Sequence, residues 1–595
     1  MRRFYRVCLI LGLTFGLTDF AHAQTDPAQA DFDGNGMVEF ADFLQFVALF
    51  GKTSADPDFD SRMDFDGNGA IDFPDFLQFV SVFGQSSGIT PAAPTPTLAV
   101  ESNMSIAVSW AAIANATGYS VERRMQGLSE FTTVVENMTG TSYTDTGLVP
   151  GTDYDYRIVV ISVAGPSEPG SSATAMTTPS GMASGMPEVL TGMITSDRLL
   201  TSDKYYLLSG AVFIQDGATL TIEPGTQVFG EGATNGTLIV AQGGKIIANG
   251  RADRPIVFTS DALDGEKDRG QWGGFIINGR APVNTGAIAQ GEGDTGSYGG
   301  SDPTDNSGIL RYVRVEFAGI EFSPDNELNG IAFQGVGSGT VVDYVQVHFN
   351  QDDGIEFFGG TVNAKHLYCT GIRDDSFDWT DGWTGKGQFW VAQQHGDDAD
   401  NGFESDNEGD NNEAMPRSNP TIYNVTLVGD PNGPESDTGL LLREGTAATL
   451  RNFIVIGFNK GGLDIDTGSS IQLANSGELS VQNTIFYNNK VDGTPGNFEV
   501  DNDGEEGTPD SFDEAAWARM PSFNNAEVNP MLRAPYSASM PDFTPEANSP
   551  AVDGTVPVAS PPDDGFFTPV NFIGGVDPLR NWLADWTTNE RPAGQ

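Results

Sequence analysis

Cysteine is almost missing: 595 residues contain two, Cys8 and Cys369. Cys8 falls in an N-terminal stretch where Arg2, Arg3 and Arg6 precede an apolar run from Val7 to Leu17 and a small-residue segment Ala21-His22-Ala23. That is the pattern of a secretory signal cleaved before Gln24, so residues 1–23 are expected to be removed. Cys8 is also too early for a lipoprotein attachment site. An exported chain left with one thiol has no internal disulfide, and its stability must come from packing and bound cations. Basic residues are scarce as well: 30 Lys and Arg against 81 Asp and Glu, a net charge of −51. Without residues 1–23 the balance is 27 against 80. Such a surface excludes nucleic acid and anionic lipid as partners and favours divalent cations or neutral partners. Beyond the leader, no apolar run approaches the roughly 20 residues that cross a bilayer, so no membrane span is expected.

What is present begins with a repeat at a spacing of 33 residues. Asp31, Asp33, Asn35, Met37, Glu39 and Asp42 recur as Asp64, Asp66, Asn68, Ala70, Asp72 and Asp75, with Gly36 and Gly69 at the sixth place. Oxygens at positions 1, 3, 5, 9 and 12, with a main-chain carbonyl at 7, surround a hard cation, and glycine at 6 allows the sharp turn. Both loops are therefore expected to hold Ca2+. Each feeds an Asp-Phe-Leu-Gln-Phe-Val run of helical period, a loop plus an exit helix. The pair, within residues 24–84, resembles dockerin-like modules, and that resemblance implies a cohesin-like docking partner.

Residues 85–96 are rich in Ser, Gly, Thr, Ala and Pro and read as a linker. Residues 97–179 alternate in short strands. Trp110, the segment Leu148 to Tyr154 and the turn Ala164 to Pro169 resemble a fibronectin type III domain, with Trp110 and Tyr154 as core residues. After a second linker, 180–194, short Val- and Ile-rich strands separated by glycine turns, without helical periods between them, predict a solenoid of strands over 195–554.

Six quartets share one register, beginning at Tyr312, Tyr344, His366, Asn424, Asn452 and Asn483. Their second and fourth positions are inward and apolar, as alternation requires; Cys369 falls among them and is expected to be a buried thiol. The three Asn in the leading column read as an asparagine ladder. With the strings Gly330 to Thr340, Asp353 to Val362 and Asn581 to Trp586, the region resembles an uncharacterised family of secreted bacterial right-handed parallel β-helices of the pectin-lyase-like class. The fold class is thus mainly β, a parallel β-helix preceded by a β-sandwich and a small α calcium-loop module. The aromatic tail 555–595 reads as a cap over an open solenoid end.

Chemistry concentrates in two 22-residue units carrying Asp352, Asp353 and Glu356, then Asp374, Asp375 and Asp378. The register places Glu356 and Asp378 on successive rungs with their side chains outward, about 4.8 Å apart. Carboxylates that close repel unless a cation or proton lies between them. Calcium held by these acids, a glycosidase acid-base pair, and turn formers satisfying backbone amides all remain open. Asp352, Asp374, Asp375 and His395 follow the acid and His order of polygalacturonases on the same fold, although that family's Arg-x-Lys has no counterpart here. Pectate lyases use an Arg base, for which Arg373 is the nearest match. Residues 397–413 read as an acidic loop, and Gln290 to Gly308 as a second loop bordering the same face. Trp383 reads as a residue packed under a loop, with a sugar platform as the alternative. The expectation is a secreted protein whose β-helix engages extracellular polysaccharide, by binding or by hydrolase or lyase cleavage. The alternative is a calcium-braced adhesin or spacer at the cell surface.

Overall fold

The computed structural model describes residues 25–87, 90–323, 326–397, 399–433, 435–491, 493–498 and 512–592. The leader 1–23 lies outside the described residues. Among the described residues, no helix is long and apolar enough to cross a membrane. The contact pattern separates a unit made largely of residues before Met176 from one made largely of residues after it.

In the first unit two ten-residue helices, Phe40–Leu49 and Phe73–Val82, follow the two acidic loops. Glu39 and Asp72 cap them through a reciprocal box with Asp42 and Asp75. Phe46 and Phe79 stack at 5.3 Å in the small core between the helices. The remainder is a sandwich: one sheet pairs Ser105–Ser109 with Ser142–Thr146, and the other pairs Gly118–Met125 with Asp153–Ser162. Trp110 is buried edge-on against Tyr119 at 5.4 Å, and Tyr154 is buried.

The second unit stacks parallel strands into three faces of one continuous 23-stranded ladder. Long strands such as Val341–His348, Asn363–Thr370, Lys386–Gln393, Thr421–Val428 and Ala448–Ile456 bend midway and supply two faces. The bend falls on residues with left-handed backbone: Tyr312, Tyr344, His366, Phe389, Asn424, Asn452 and Asn483, with φ from 48° to 63°. Asn tolerates that region because its short side chain bonds locally, and larger residues need compensation from packing. Here the compensation is stacking of equivalent rings on successive rungs: Tyr312 on Tyr344 at 4.4 Å, Tyr344 on His366 at 4.1 Å, His366 on Phe389 at 5.0 Å. The rung carrying Phe389 is a seventh member of the series, absent from the sequence alignment because its corner is neither Tyr, His nor Asn. Cys369, Trp379, Trp383 and Trp390 are fully buried, and Trp383 stacks on Phe357 at 4.2 Å inside the stack. Trp383 is therefore core.

Two expectations change. The corner asparagines do not form a ladder with one another; Asn424, Asn452 and Asn483 donate to the carbonyls of Phe572, Ala559 and Pro557. The tail supplying those carbonyls is no end cap but a strap laid across the rungs. Gln346, Gln388 and Asn452 each clasp one strap residue at both main-chain groups, Thr588, Thr568 and Ala559, with bonds of 2.8 to 2.9 Å. A side-chain amide has one donor and one acceptor side, as a strand edge does, so it pairs with extended backbone in the same way. At one end of the strap His348 joins Thr370 Oγ1 at 2.7 Å to the carbonyl of Glu590 at 2.6 Å.

That buried imidazole predicts an acid response. Burial drives its pKa from the ordinary 6.5 down to about 3. Below pH 6.5 the unfolded chain takes up a proton that the native imidazole refuses, so its stability contribution is complete above 6.5 and lost as pH falls toward 3. The loss is bounded by about 5 kcal/mol. Thermal unfolding of the wild type and of His348→Gln between pH 7 and pH 3 should show a stability difference that narrows with acidification. A difference independent of pH contradicts this assignment.

Candidate functional site

The third face carries the acids. Its strands Ile331–Gln334, Ile355–Phe358, Phe377–Thr380, Phe403–Ser405, Leu440–Leu442 and Asp464–Ile465 lie in register, so Ala332, Glu356, Asp378, Glu404, Leu441 and Asp464 form one outward column. Glu356 and Asp378 are neighbours on successive rungs, as the sequence register implies. Outward does not mean solvated, however: Glu356 is 7% exposed and Asp378 8%. The same column begins with Ile239, Ile276 and Ala332, and Tyr298, from the Gln290–Gly308 segment, packs with these residues and Phe358. The Tyr298 hydroxyl donates to Asp381 at 2.7 Å. The cover over the apolar half of the column thus reaches the acidic half.

The turns before these strands add two further columns. Asp353 and Asp375, continued by Asn401, have a structural role. The amide N–H of Asp375 donates to Asp353 at 3.1 Å, that of Asn401 to Asp375 at 2.6 Å, and that of Thr438 to Asn401 at 3.2 Å. Each side chain therefore fastens the next rung, as a turn-former reading requires, and uses one oxygen to do so. Asp352, Asp374 and Asp400 are half-buried beside them. Ligand oxygens of Asp352, Asp353 and Asp374 converge within 4.8 Å; so do those of Asp353, Glu356 and Asp378, and those of Asp374, Asp375 and Asp400.

The electrostatics differ along the face. At its far end Arg443 pairs with Glu404 at 2.7 Å and with Asp406 at 3.0 Å, and Lys460 pairs with Asp437. At the near end, desolvation and then neighbouring carboxylates push Asp353 and Asp378 well above the ordinary carboxylate range, with no basic group among the strongest influences. Glu356 is raised by the same causes, burial first and Asp353 next. Asn329 donates one bond of 2.5 Å to Glu356, while its own side-chain oxygen and Oδ1 of Asp378 are buried without a partner. The group fits a hard cation on two counts: every donor is oxygen, and a buried carboxylate oxygen lacks any hydrogen.

His395 does not join these acids. It lies edge-on to Phe349 at 5.1 Å with Arg591 3.1 Å from Nδ1, and burial, then Arg591, lower its pKa to about 4. The acid and His order along the sequence reflects rung period, not a shared site. Residues 397–413 are not all loop, since Phe403–Ser405 is a rung strand and Glu404 extends the carboxylate column. Asn329, Asp400, Glu404 and Arg443 were missed as site residues. The repeat of Gly354-Ile355-Glu356 as Gly402-Phe403-Glu404 was the available signal, obscured by the longer turn before it.

In the N-terminal loops Asp31, Asp33 and Asp42 converge within the same 4.8 Å, as do Asp64, Asp66 and Asp75. Asp42 accepts from the amides of Phe32, Asp33 and Glu39, and Asp75 likewise from Phe65, Asp66 and Asp72. Asn35 lies between Asp33 and Glu39, bonded to both, and Asn68 is bonded to Asp66. Met37 and Ala70 follow at the carbonyl position, each donating its amide to the preceding asparagine. One oxygen of Asp72 is buried without a partner.

Comparison with known proteins matches residues 192–519 to the pectate-lyase-like β-helix domain and residues 92–176 to the fibronectin type III domain. A poly(3-hydroxybutyrate) depolymerase of Ralstonia pickettii is 38% identical over 95 residues, 15% of this chain and 18% of that protein. The chain thus spans less than a fifth of that relative's length. Among solved structures, an Fn3-like protein from Clostridium thermocellum is 31% identical, covering 15% of this chain and 94% of the other, with a TM-score of 0.14. The fn3 domain of human collagen alpha-1(XX) chain is 30% identical, covering 16% and 93%, with a TM-score of 0.15. With the matched domain spanning more than half of the sequence and coinciding with the three-faced stack of parallel strands, the chain belongs to the pectate-lyase-like β-helix family.

Proposed function

We propose that this is an exported, calcium-binding modular protein whose β-helix engages extracellular polysaccharide at its acidic face. The observation that carries the reading is Asp378, a buried carboxylate with an unpartnered oxygen beside Asp353 and Glu356. Calcium bound there would neutralise the carboxylates and offer open coordination positions to sugar oxygens. Asp353, Glu356 and Asp378 hold it from the covered side, and the half-buried Asp352 and Asp374 form the open edge. The Ralstonia relative bears the name of a polymer-degrading enzyme, which agrees with a polymer ligand; the short shared stretch carries over no catalytic residue. A Glu356 and Asp378 acid-base pair is less well supported, because both are covered. The bonds from Asp353, Asp375 and Asn401 to successive rungs favour a second reading, a calcium-braced spacer that binds no glycan.

Calcium should stabilise the β-helix by about 2.7 kcal/mol at 100 times Kd, read as a raised unfolding temperature. Asp378→Asn should abolish that response, yet make the calcium-free protein more stable at pH 7, since folding no longer has to put back on Asp378 a proton that the unfolded chain has released. The calcium-free wild type should lose stability as pH rises from about 4 toward 7, because the native carboxyls keep protons that the unfolded chain has released. An Asp378→Asn variant destabilised equally with and without calcium contradicts the cation site. Retention on insoluble polysaccharides, lost with EGTA, separates binder from spacer; no retention under any condition leaves the spacer.

The N-terminal module is proposed to bind calcium in both loops and to dock a cohesin-like partner. Its two helices leave matched apolar faces in water: Phe40, Leu44, Val47 and Phe50 at 64, 54, 47 and 47% exposure, and Phe73, Leu77, Val80 and Phe83 at 61, 54, 49 and 47%. Such agreement across a repeat points to a shared surface requirement, not to scattered exposure. A recombinant cohesin module should bind the full chain in calcium, and Leu44→Glu with Leu77→Glu should weaken binding at least tenfold. No binding at about 10 μM removes the docking partner.

A further inference from the structure

The aromatic corner column and the strap enclose a cavity of about 270 Å³ that the acidic face does not include. One wall is the ladder: Tyr344, His366 and Phe389 stacked on three successive rungs, with Tyr344 and His366 half-buried and Phe389 7% exposed. A second wall is Trp582 of the strap, edge-on to His366 at 5.1 Å and to Tyr344 at 6.1 Å. Its indole N–H is committed to the carbonyl of Gly575 at 2.7 Å, which fixes the ring. The rim holds Asp577 and Arg580. One oxygen of Asp577 takes the amide of Leu579 at 2.8 Å and pins the rim turn. Among the described residues Arg580 has no ion-pair partner, although acids outnumber bases 81 to 30 along the chain. Leu579 beside it is 91% exposed.

We propose that this cavity is a sugar-binding subsite for a single pyranose ring of a polysaccharide chain. A pyranose presents C–H groups on its faces and hydroxyls on its edge. The stacked rings cover one another's faces and line the cavity with their edges; with the indole they form an apolar wall against the C–H faces of the sugar, while Arg580 with five donors and Asp577 with acceptors meet its hydroxyl edge. The volume lies just below the usual range for drug-sized ligand sites, fitting one ring rather than an extended chain. A quaternary ammonium, the other ligand class that aromatic walls attract, is disfavoured by the guanidinium at the mouth. The unpaired cation makes a carboxylate-bearing ring a good match as well as a neutral one. The subsite rests on the polysaccharide reading but needs neither calcium nor the carboxylate column, and would hold the glycan on a different face of the stack.

The test uses the full chain, with gluco-, manno- and galacturono-oligosaccharides titrated in EGTA and followed by tryptophan fluorescence and calorimetry. At least one should bind, with affinity reduced at least tenfold in Arg580→Ala and in Trp582→Ala and unchanged in Asp378→Asn. Arg580 is exposed, so its variant keeps the fold if Trp582→Ala does not. Binding that appears only when calcium replaces EGTA, survives Arg580→Ala and is lost in Asp378→Asn overturns the subsite and leaves the acidic-face reading intact. Absence of binding by every oligosaccharide, with and without calcium, overturns both. Preferential binding of choline over all sugars also overturns the subsite.

Discussion

Parallel strands stacked in register place every residue about 4.8 Å from its equivalent on the next rung, and each column must tolerate its own repetition. Apolar side chains do so in the core, where Trp379, Trp383 and Trp390 are fully buried. Aromatic rings do so at the corner by stacking, and amides do so by turning to the strap. Carboxylates cannot, because repetition multiplies repulsion and burial removes the water that would screen it. In the column from Glu356 through Asp378 to Glu404 the stack works against itself. Arg443 compensates at Glu404. The compensation required at Asp378 is the basis of the functional reading.

The same constraint decides how much was legible in advance. Period-two alternation at fixed spacing exposed the inward positions, the burial of Cys369 and the adjacency of Glu356 and Asp378, since these depend only on register. What depends on segments folding back was hidden. The asparagine column looks identical in sequence whether it bonds to itself or to a strap more than 70 residues away, as Asn483 does with Pro557. The covered state of Glu356 depends on the Gln290–Gly308 segment, whose sequence shows no alternation to mark it as packed. The Phe389 rung escaped because its corner residue broke the apparent rule, and with it went Glu404. His395 shows the converse error, since a recurring rung period creates motif-like spacings without bringing the residues together.

The strap adds a second kind of order. A solenoid holds each rung only to its neighbours, whereas the tail ties the rung of Asn483 and that of Arg314 to one segment. Side-chain amides serve as the edge that accepts this segment, so it attaches by hydrogen bonds without extending the sheet. The aromatic corner gains Trp582 and Trp586 from the strap, and the sugar subsite exists only where the two meet. Glycan contact at the strap and cation binding on the third face would let one rigid stack hold a polymer at separate points, and multivalent attachment strengthens binding without any tighter single contact.

The central claim is that a cation occupies the space among Asp353, Glu356 and Asp378. A crystal structure of the protein grown with calcium, with an anomalous difference map, addresses it directly. The account predicts a peak bonded to the now unpartnered oxygen of Asp378 at roughly 2.3–2.6 Å. A map with calcium in the N-terminal loops, no peak on the rungs and a short carboxyl–carboxylate hydrogen bond between Glu356 and Asp378 would contradict it.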